Sequence, residues 1–461
     1  MRVTKDHTLA GSFWLPGKEN DQCGGTLRIV DGGRIHLELI GFFEGRNQFT
    51  STSIPMPRVI GYVEEIGPVT IDGCGYSDWR HSTGSASKTV LRGTLVYCGV
   101  ELSESEPLTI ESLSFGIEGL DQWHHLSGIR VAHDFKKKSA TVTYLPQRNV
   151  LLWAADGFTL ELTFAWSLPW GCEGRKATIS ERSRFRLSSD RPRPLDDFII
   201  VAHQLVTMLC IATSETVAIV DVIGSLPAPP VNGDSSEEPE QQQCAIYYES
   251  IPFSKTVPKI EHHNILFRYR DIETRSQDAF QKWFDAYKRI TPALTLYLGA
   301  VAGDHKYLDG RFLALAQALE SYHRRSFTET LMSQVEFDSL KTEIIAHCPP
   351  IHRELVEGRL RHGNEPSLAT RLKRLVEPFK KYFAAEKKFI RAVVDRRNYQ
   401  THFDPSLEVE LESGMHIWTL CKRMEALLRL HFLREIGMDD ATITTITKQC
   451  DGLIRQLNEE L

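Results

Sequence analysis

Short apolar or alternating runs recur over positions 1–190, at 26–30, 35–40, 59–64, 90–96 and 159–164, with Gly, Asn, Asp and Pro between them. The stretch 26–39 reads as a hairpin. Two alternating runs flank Asp31-Gly32-Gly33, where glycine accepts the left-handed backbone that a tight reversal requires. No long helical period interrupts this part, so its spacing predicts a sandwich or open barrel of short strands. The period changes near Asp196. Residues 196–212 are apolar at helical spacing, and Asp196 or Asp197 suits the helix start. Two strand-like runs follow, 216–223 and 245–250. Between them, 228–243 is rich in Pro, Ser, Glu and Gln, the composition of a disordered surface loop.

From position 276 onward the period is helical, with helices predicted over 276–289, 310–325, 328–347, 367–377, 386–401 and 416–435. In the second of these, Phe312, Leu315, Leu319 and Tyr322 share one face. A strand-rich front and a helix-rich back predict an α+β multidomain chain rather than one α/β sheet. The divisions expected are a β-rich, sandwich-like region at 1–190, a connecting α/β segment at 191–275 with its disordered loop near 226–243, and an α-helical bundle at 276–461.

Composition adds limits. Hydrophobic residues at 41% and charged residues at 25% are ordinary for a soluble globular chain, and 461 residues suffice for two or three cores. There is no unbroken apolar run of membrane-spanning length, and positions 1–15 lack a basic segment followed by an apolar one. The nine cysteines are scattered singly, as in reduced thiols. The expectation is a cytoplasmic protein with no membrane partner. His347, Cys348 and His352 form the closest metal-like cluster, but they read as a helix end beside Pro349-Pro350, and no metal or other cofactor is expected.

Charge is unevenly spread. Residues 359–397 carry twelve Lys/Arg and four Asp/Glu, a net of +8, against -6 for the whole chain, so everything else sums to -14. Such a patch attracts a phosphate backbone, with Lys387, Lys388, Arg391 and Arg396 as the expected RNA contacts. The interleaved Phe379, Phe383 and Phe389 read as core rather than as stacking platforms. At the end of the patch stands Arg397-Asn398-Tyr399-Gln400-Thr401-His402, and Pro405 three residues later predicts that a helix ends there. RNA cleavage without metal needs a group titrating near neutrality to move protons, which suits His402. It also needs a fixed cation on the charged phosphorane, which suits Arg397. Asn398 precedes His402 by four residues and shares its helix face, so it can orient the imidazole. Arg397 lies about 140° round an ideal helix from His402. The two meet only if the last turn loosens or a second protomer supplies one of them. The spacing itself is weak evidence, since Arg2 and His7 repeat it by accident.

Order and context strengthen it. Leu319-Glu320-Ser321-Tyr322-His323, followed far downstream by Val394-Asp395-Arg396-Arg397-Asn398-Tyr399-Gln400-Thr401-His402, resembles the HEPN superfamily, and within it the ApeA-type proteins of bacterial anti-phage defence. Gly11-Ser12-Phe13-Trp14-Leu15-Pro16, Gly25-Thr26-Leu27 and Ile35-His36-Leu37-Glu38-Leu39 resemble the β-rich N-terminal domain of that family, so the resemblance spans most of the chain. It implies a HEPN ribonuclease of an abortive-infection system, working as a homodimer or higher homo-oligomer. Two Arg-x4-6-His segments would face one cleft, with RNA, by family habit tRNA, as substrate and a phage-derived trigger. It also implies catalytic roles for Arg397, Asn398 and His402, a bracing role for Glu320, and a sensing role for the front domain. One departure is Asp404, where toxins paired with a nucleotidyltransferase antidote carry tyrosine; this argues against that subgroup. Two other readings stay open. One is a non-catalytic RNA- or nucleotide-binding HEPN protein. The other is a β-sandwich receptor on a helical dimerisation scaffold, with Trp14, Trp79, Trp123, Trp153, Trp166 and Trp170 as a carbohydrate platform. Buried tryptophans are the commoner arrangement in a β core. His124-His125 has no carboxylate or thiol at metal spacing and reads as surface or core.

Overall fold

The computed structural model describes all residues except 44–55, 81–87, 105, 170–175, 229–240, 304, 306, 403–413, 460 and 461, and all of their side chains except 57, 78–80, 402 and 451. The described chain divides into two compact units, Met1–Gln281 and Lys282–Leu461.

The first unit is built on strands β1 (His7–Trp14), β2 (Cys23–Val30), β3 (Arg34–Ile40), β4 (Met56–Val63), β5 (Gly67–Arg80), β6 (Lys88–Gly93), β7 (Leu95–Cys98) and β8 (Thr109–Ile117). A short helix α1 (Leu120–His124) precedes β9 (Ile129–Asp134), β10 (Ser139–Tyr144), β11 (Val150–Ala155), β12 (Phe158–Ser167) and β13 (Ser180–Pro194). Helix α2 (Leu195–Thr213), β14 (Ile219–Ser225) and β15 (Gln243–Tyr248) complete it. Thirteen strands form one sheet in the order β11-β12-β13-β8-β14-β15-β7-β5-β4-β1-β2-β3-β6, and a further β5–β6 pairing closes its last six into an antiparallel barrel. The architecture is therefore a barrel running into an open sheet, not two stacked sheets. The cause is the length of β5: its first half pairs with β7 and its second half, beyond Gly73 and Gly75, pairs with β6. Closure removes free edges. The 26–39 hairpin lies in the barrel wall, with Gly32 and Gly33 in its turn at φ 93° and 71°.

Residues 191–275, expected as a connecting segment, instead supply α2 and two interior strands of this same sheet. The expected disordered loop near 226–243 falls mostly outside the described residues; at its ends Leu226 N–H donates to Gln242 O at 2.9 Å. Helix α2 is long and apolar enough to cross a membrane, but 67% of its apolar window is buried. It packs on β8 and β13, with Phe198, Leu205, Met208 and Leu209 sealed, as a core helix. Trp14, Trp123 and Trp153 are buried too, and only Trp166 is half-exposed, resting on Tyr144. Trp79 and Trp170 lie outside the described side chains. A platform of exposed tryptophans is not formed by the described residues.

Helix α3 (Ser276–Val301) runs past the predicted stop at 289 and through Pro292. Burial of Ile290, Ala293, Leu294 and Tyr297 outweighs the backbone hydrogen bond that proline removes. The second unit continues with α4 (Leu308–Ser326), α5 (Gln334–His347), α6 (Arg353–Leu360), α7 (Leu368–Val376), α8 (Glu386–His402), α9 (Gly414–Glu435), α10 (Asp440–Gln449) and α11 (Asp451–Asn458). Ser333 and Glu336 form a capping box that starts α5 later than the periodicity predicted. Helix α4 packs along α9; its stripe Phe312, Leu315, Leu319 and Tyr322 is buried, and the Tyr322 ring meets His431 at 4.9 Å. Phe379 and Phe389 are sealed core, and Phe383 packs on Phe389 at 5.6 Å.

Candidate active site

Arg397 and His402 lie on the last two described turns of α8, which is helical through His402; the helix end expected from Pro405 falls outside the described residues. Residues 403–413, including Asp404 and Pro405, are outside the described residues, as is the side chain of His402. Thr401 Oγ1 donates to Arg397 O at 2.7 Å, a local bond that holds the last turn.

The Arg397 guanidinium is 36% exposed and lies 3.6 Å from Glu320 Oε2 on α4. It also approaches Asn398 Oδ1 at 3.5 Å. Glu320, to which the resemblance gives a bracing role, lies beside Arg397. Glu320 accepts from Arg324 at 3.2 Å, and Arg324 in turn reaches Glu365 Oε2 at 2.5 Å. Arg371, 4% exposed, binds Glu365 at 3.2 Å and donates to His323 Nδ1 at 3.1 Å. A chain of alternating charges therefore runs from the exposed Arg397 to the sealed His323. It restricts the arginine to one orientation while leaving its outer edge open to an anion.

The other expected RNA contacts divide. Lys387, Lys388 and Arg391 are exposed on α8, and Arg391 shares a surface pair with Asp395 at 3.3 Å. Arg396 is not presented to solvent. Its side chain is 14% exposed, bonded to Asp309 Oδ1 at 2.8 Å and set over the Tyr399 ring. Gln400, 5% exposed, donates to the same Asp309 oxygen. Asp309 went unnoticed in the sequence. Its signal is its spacing: eleven residues before Glu320, three helical turns, it lies on the same face of α4. One face of α4 thus presents two carboxylates to the turns of α8 that end at His402. We expect Asp309→Ala to release Arg396 and Gln400 of α8, with the loss of a charge-assisted bond worth ~1.5 kcal/mol. Hydrogen exchange over 396–402 should rise as a result, and unchanged exchange would show that Asp309 positions nothing.

Burial, reinforced by Arg371, Arg374 and Arg324, lowers the His323 pKa from 6.5 to about 4. Nδ1 accepts from Arg371, so Nε2 carries the proton of the neutral ring. The unfolded chain binds this proton more readily than the fold does. The contribution of His323 is thus complete above pH 6.5 and is lost as pH falls towards 4, at most ~3 kcal/mol. Melting curves at pH 7.5 and 5 should show lower stability in acid, with a weaker dependence in His323→Gln. Equal pH dependence in the two proteins would refute this assignment.

One triad in the first unit is structural. His124 Nε2 lies 2.7 Å from Ser183 Oγ, and Ser183 donates to Asp121. His124 Nδ1 accepts from Leu126 N at 2.9 Å, so Nε2 is the donor and no ring nitrogen is left to take the serine proton. His124 is buried core, and His125 is exposed. Among the described residues no three His, Cys, Asp or Glu side chains converge as metal ligands.

The chain is thus a two-part protein, a β-rich unit followed by a helical unit in which Arg397 lies beside Glu320. Residues 8–283 match the family of ApeA N-terminal domain 1, and residues 313–442 match the ApeA-like HEPN family. The chain belongs to the ApeA-like HEPN proteins of anti-phage defence. No curated protein and no solved structure matches it.

Proposed function

We propose that this protein is a metal-independent RNA endonuclease, silent until infection, whose site forms between the helical units of two copies. The observation that carries this reading is Arg397, braced by Glu320 at 3.6 Å and left open on its outer side at the end of a +8 stretch. One His402 takes the 2′-hydroxyl proton, and the 2′-oxygen attacks the phosphorus. The second copy's His402 protonates the departing 5′-oxygen. The products are a 2′,3′-cyclic phosphate and a 5′-hydroxyl. Arg397 faces the charge gathered on the phosphorane, and Asn398 orients the imidazole one turn away. Val335, Ile351 and Leu355, exposed by 64% to 85% in the helical unit, are apolar surface of the kind a second copy covers. By family habit tRNA is the substrate class, and the β-rich unit senses a phage-derived trigger.

The test is to sequence RNA ends in cells expressing wild type or His402→Ala, and to repeat cleavage with purified protein in EDTA. Cyclic-phosphate ends specific to wild type and insensitive to EDTA are expected. Retained cutting by purified His402→Ala would falsify the assignment. Salt-dependent RNA binding with no cut product would instead establish a binding protein.

A further inference from the structure

The first unit carries a cavity that the nuclease reading does not use. On one face of the open sheet, alternation turns Leu113, Phe115, Phe185, Leu187, Leu160 and Leu162 inward, all sealed. The opposite face is polar by the same alternation. Strand register aligns Ser188 of β13, Ser112 of β8, Ser225 of β14 and Gln243 of β15 in one row. The next row aligns Arg186, Ser114 and Ile223, and Arg184 follows two residues before Arg186 on the same strand face. Small serines at the centre with Arg184, Arg186 and Gln243 around them leave a hollow of about 460 Å³. That volume lies within the range of small-molecule sites.

Its lining holds two arginines and no carboxylate. Arg184 is fixed by Asp221, to which Nη2 reaches at 3.3 Å. Arg186 is exposed, and among the described residues it makes no ion pair. Ser112 and Ser225 are largely covered as residues, but their hydroxyls reach water at the hollow, and among the described residues neither these nor the Ser114 hydroxyl is tied up in a protein hydrogen bond. These hydroxyls line the hollow and are available to donate to a bound anion.

We infer that this hollow binds a phosphate-bearing small molecule of nucleotide size. Arg186 supplies the planar fork that grips a phosphate through two parallel bonds. Ser112, Ser114 and Ser225 supply hydroxyl donors along the row beside it, and Gln243 supplies an amide at the rim. Recognition lies wholly within the first unit and does not depend on whether the helical unit cuts RNA.

The experiment is calorimetric titration of the full-length protein with ADP, inorganic pyrophosphate and adenosine. Saturable binding of ADP is expected, weakened about tenfold or more by Arg186→Ala, since a charged hydrogen bond is worth ~1.5–3 kcal/mol. Arg186→Lys, which keeps the charge and loses the fork, should fall between. Ser114→Leu should fill the hollow and abolish binding; circular dichroism checks that all three variants fold. Pyrophosphate binding as tightly as ADP would identify a bare phosphate ligand, and ADP binding alone would identify a nucleotide; either supports the site. No saturable binding of either phosphate probe, adenosine binding as well as ADP, or an unchanged affinity in Arg186→Ala would overturn it.

Discussion

His402→Ala is expected to lower the rate of RNA cleavage by at least ~10³-fold without unfolding the protein, because it removes both the acid and the base from a two-copy site, and one such group is worth ~10²–10⁴. Arg397→Ala is expected to cost ~10²–10³, the scale of a lost donor at a developing oxyanion. The two-copy arrangement makes a sharper demand. Excess His402→Ala protein, mixed with wild type and allowed to exchange subunits, should suppress cleavage, because mixed pairs hold a single histidine. If wild-type activity survives that excess once exchange is verified, each copy carries a complete site and the composite geometry is wrong. The helix geometry is what motivates the proposed pairing. Residues 397 and 402 diverge by about 140° on a regular α8, and α8 is helical through His402.

Glu425→Ala should give the largest loss of stability among single changes near this site. Glu425 of α9 is fully buried and accepts from Arg311 of α4 through Nε at 2.9 Å and through Nη2, while Lys422 reaches its other oxygen at 3.1 Å. Removing the carboxylate leaves two largely covered cations without their counter-charge, a change that costs ~3–5 kcal/mol. At ~2–4 °C per kcal/mol for a unit of this size, its melting midpoint should drop by about 10 °C. Glu425→Gln keeps an acceptor for Arg311 and should lose less. A midpoint shift of under ~2 °C in Glu425→Ala would mean that the pair adds nothing to the α4–α9 contact. Arg311 follows Asp309 by two residues on α4, so the same perturbation is expected to loosen the carboxylates that hold α8.

Much of this organisation is legible in the residues themselves. Period and punctuation separate a strand-rich front from a helix-rich back, because each element buries one face and its repeat reports that face. The 26–39 hairpin and the buried stripe of α4 follow from local rules: glycine in a turn and apolar spacing of three and four. Arg397 and His402 stand out by chemistry and by the +8 stretch before them, and the family resemblance rests on short motifs in order along the chain.

Tertiary structure decided what depends on partners far apart in sequence. Barrel closure arises because β5 pairs with three neighbours, a count no alternation reveals. β14 and β15 enter the middle of the sheet beside strands about a hundred residues or more upstream. Arg396 looks like a phosphate contact on its own helix and becomes a buried-side clamp once Asp309, 87 residues earlier, is brought to it. The serine hollow exists only in the register of β13, β8, β14 and β15. The physical reason is common to all four. Local preference sets the face an element presents, whereas the free energy of pairing charges, hydroxyls and strand edges depends on which distant face arrives opposite.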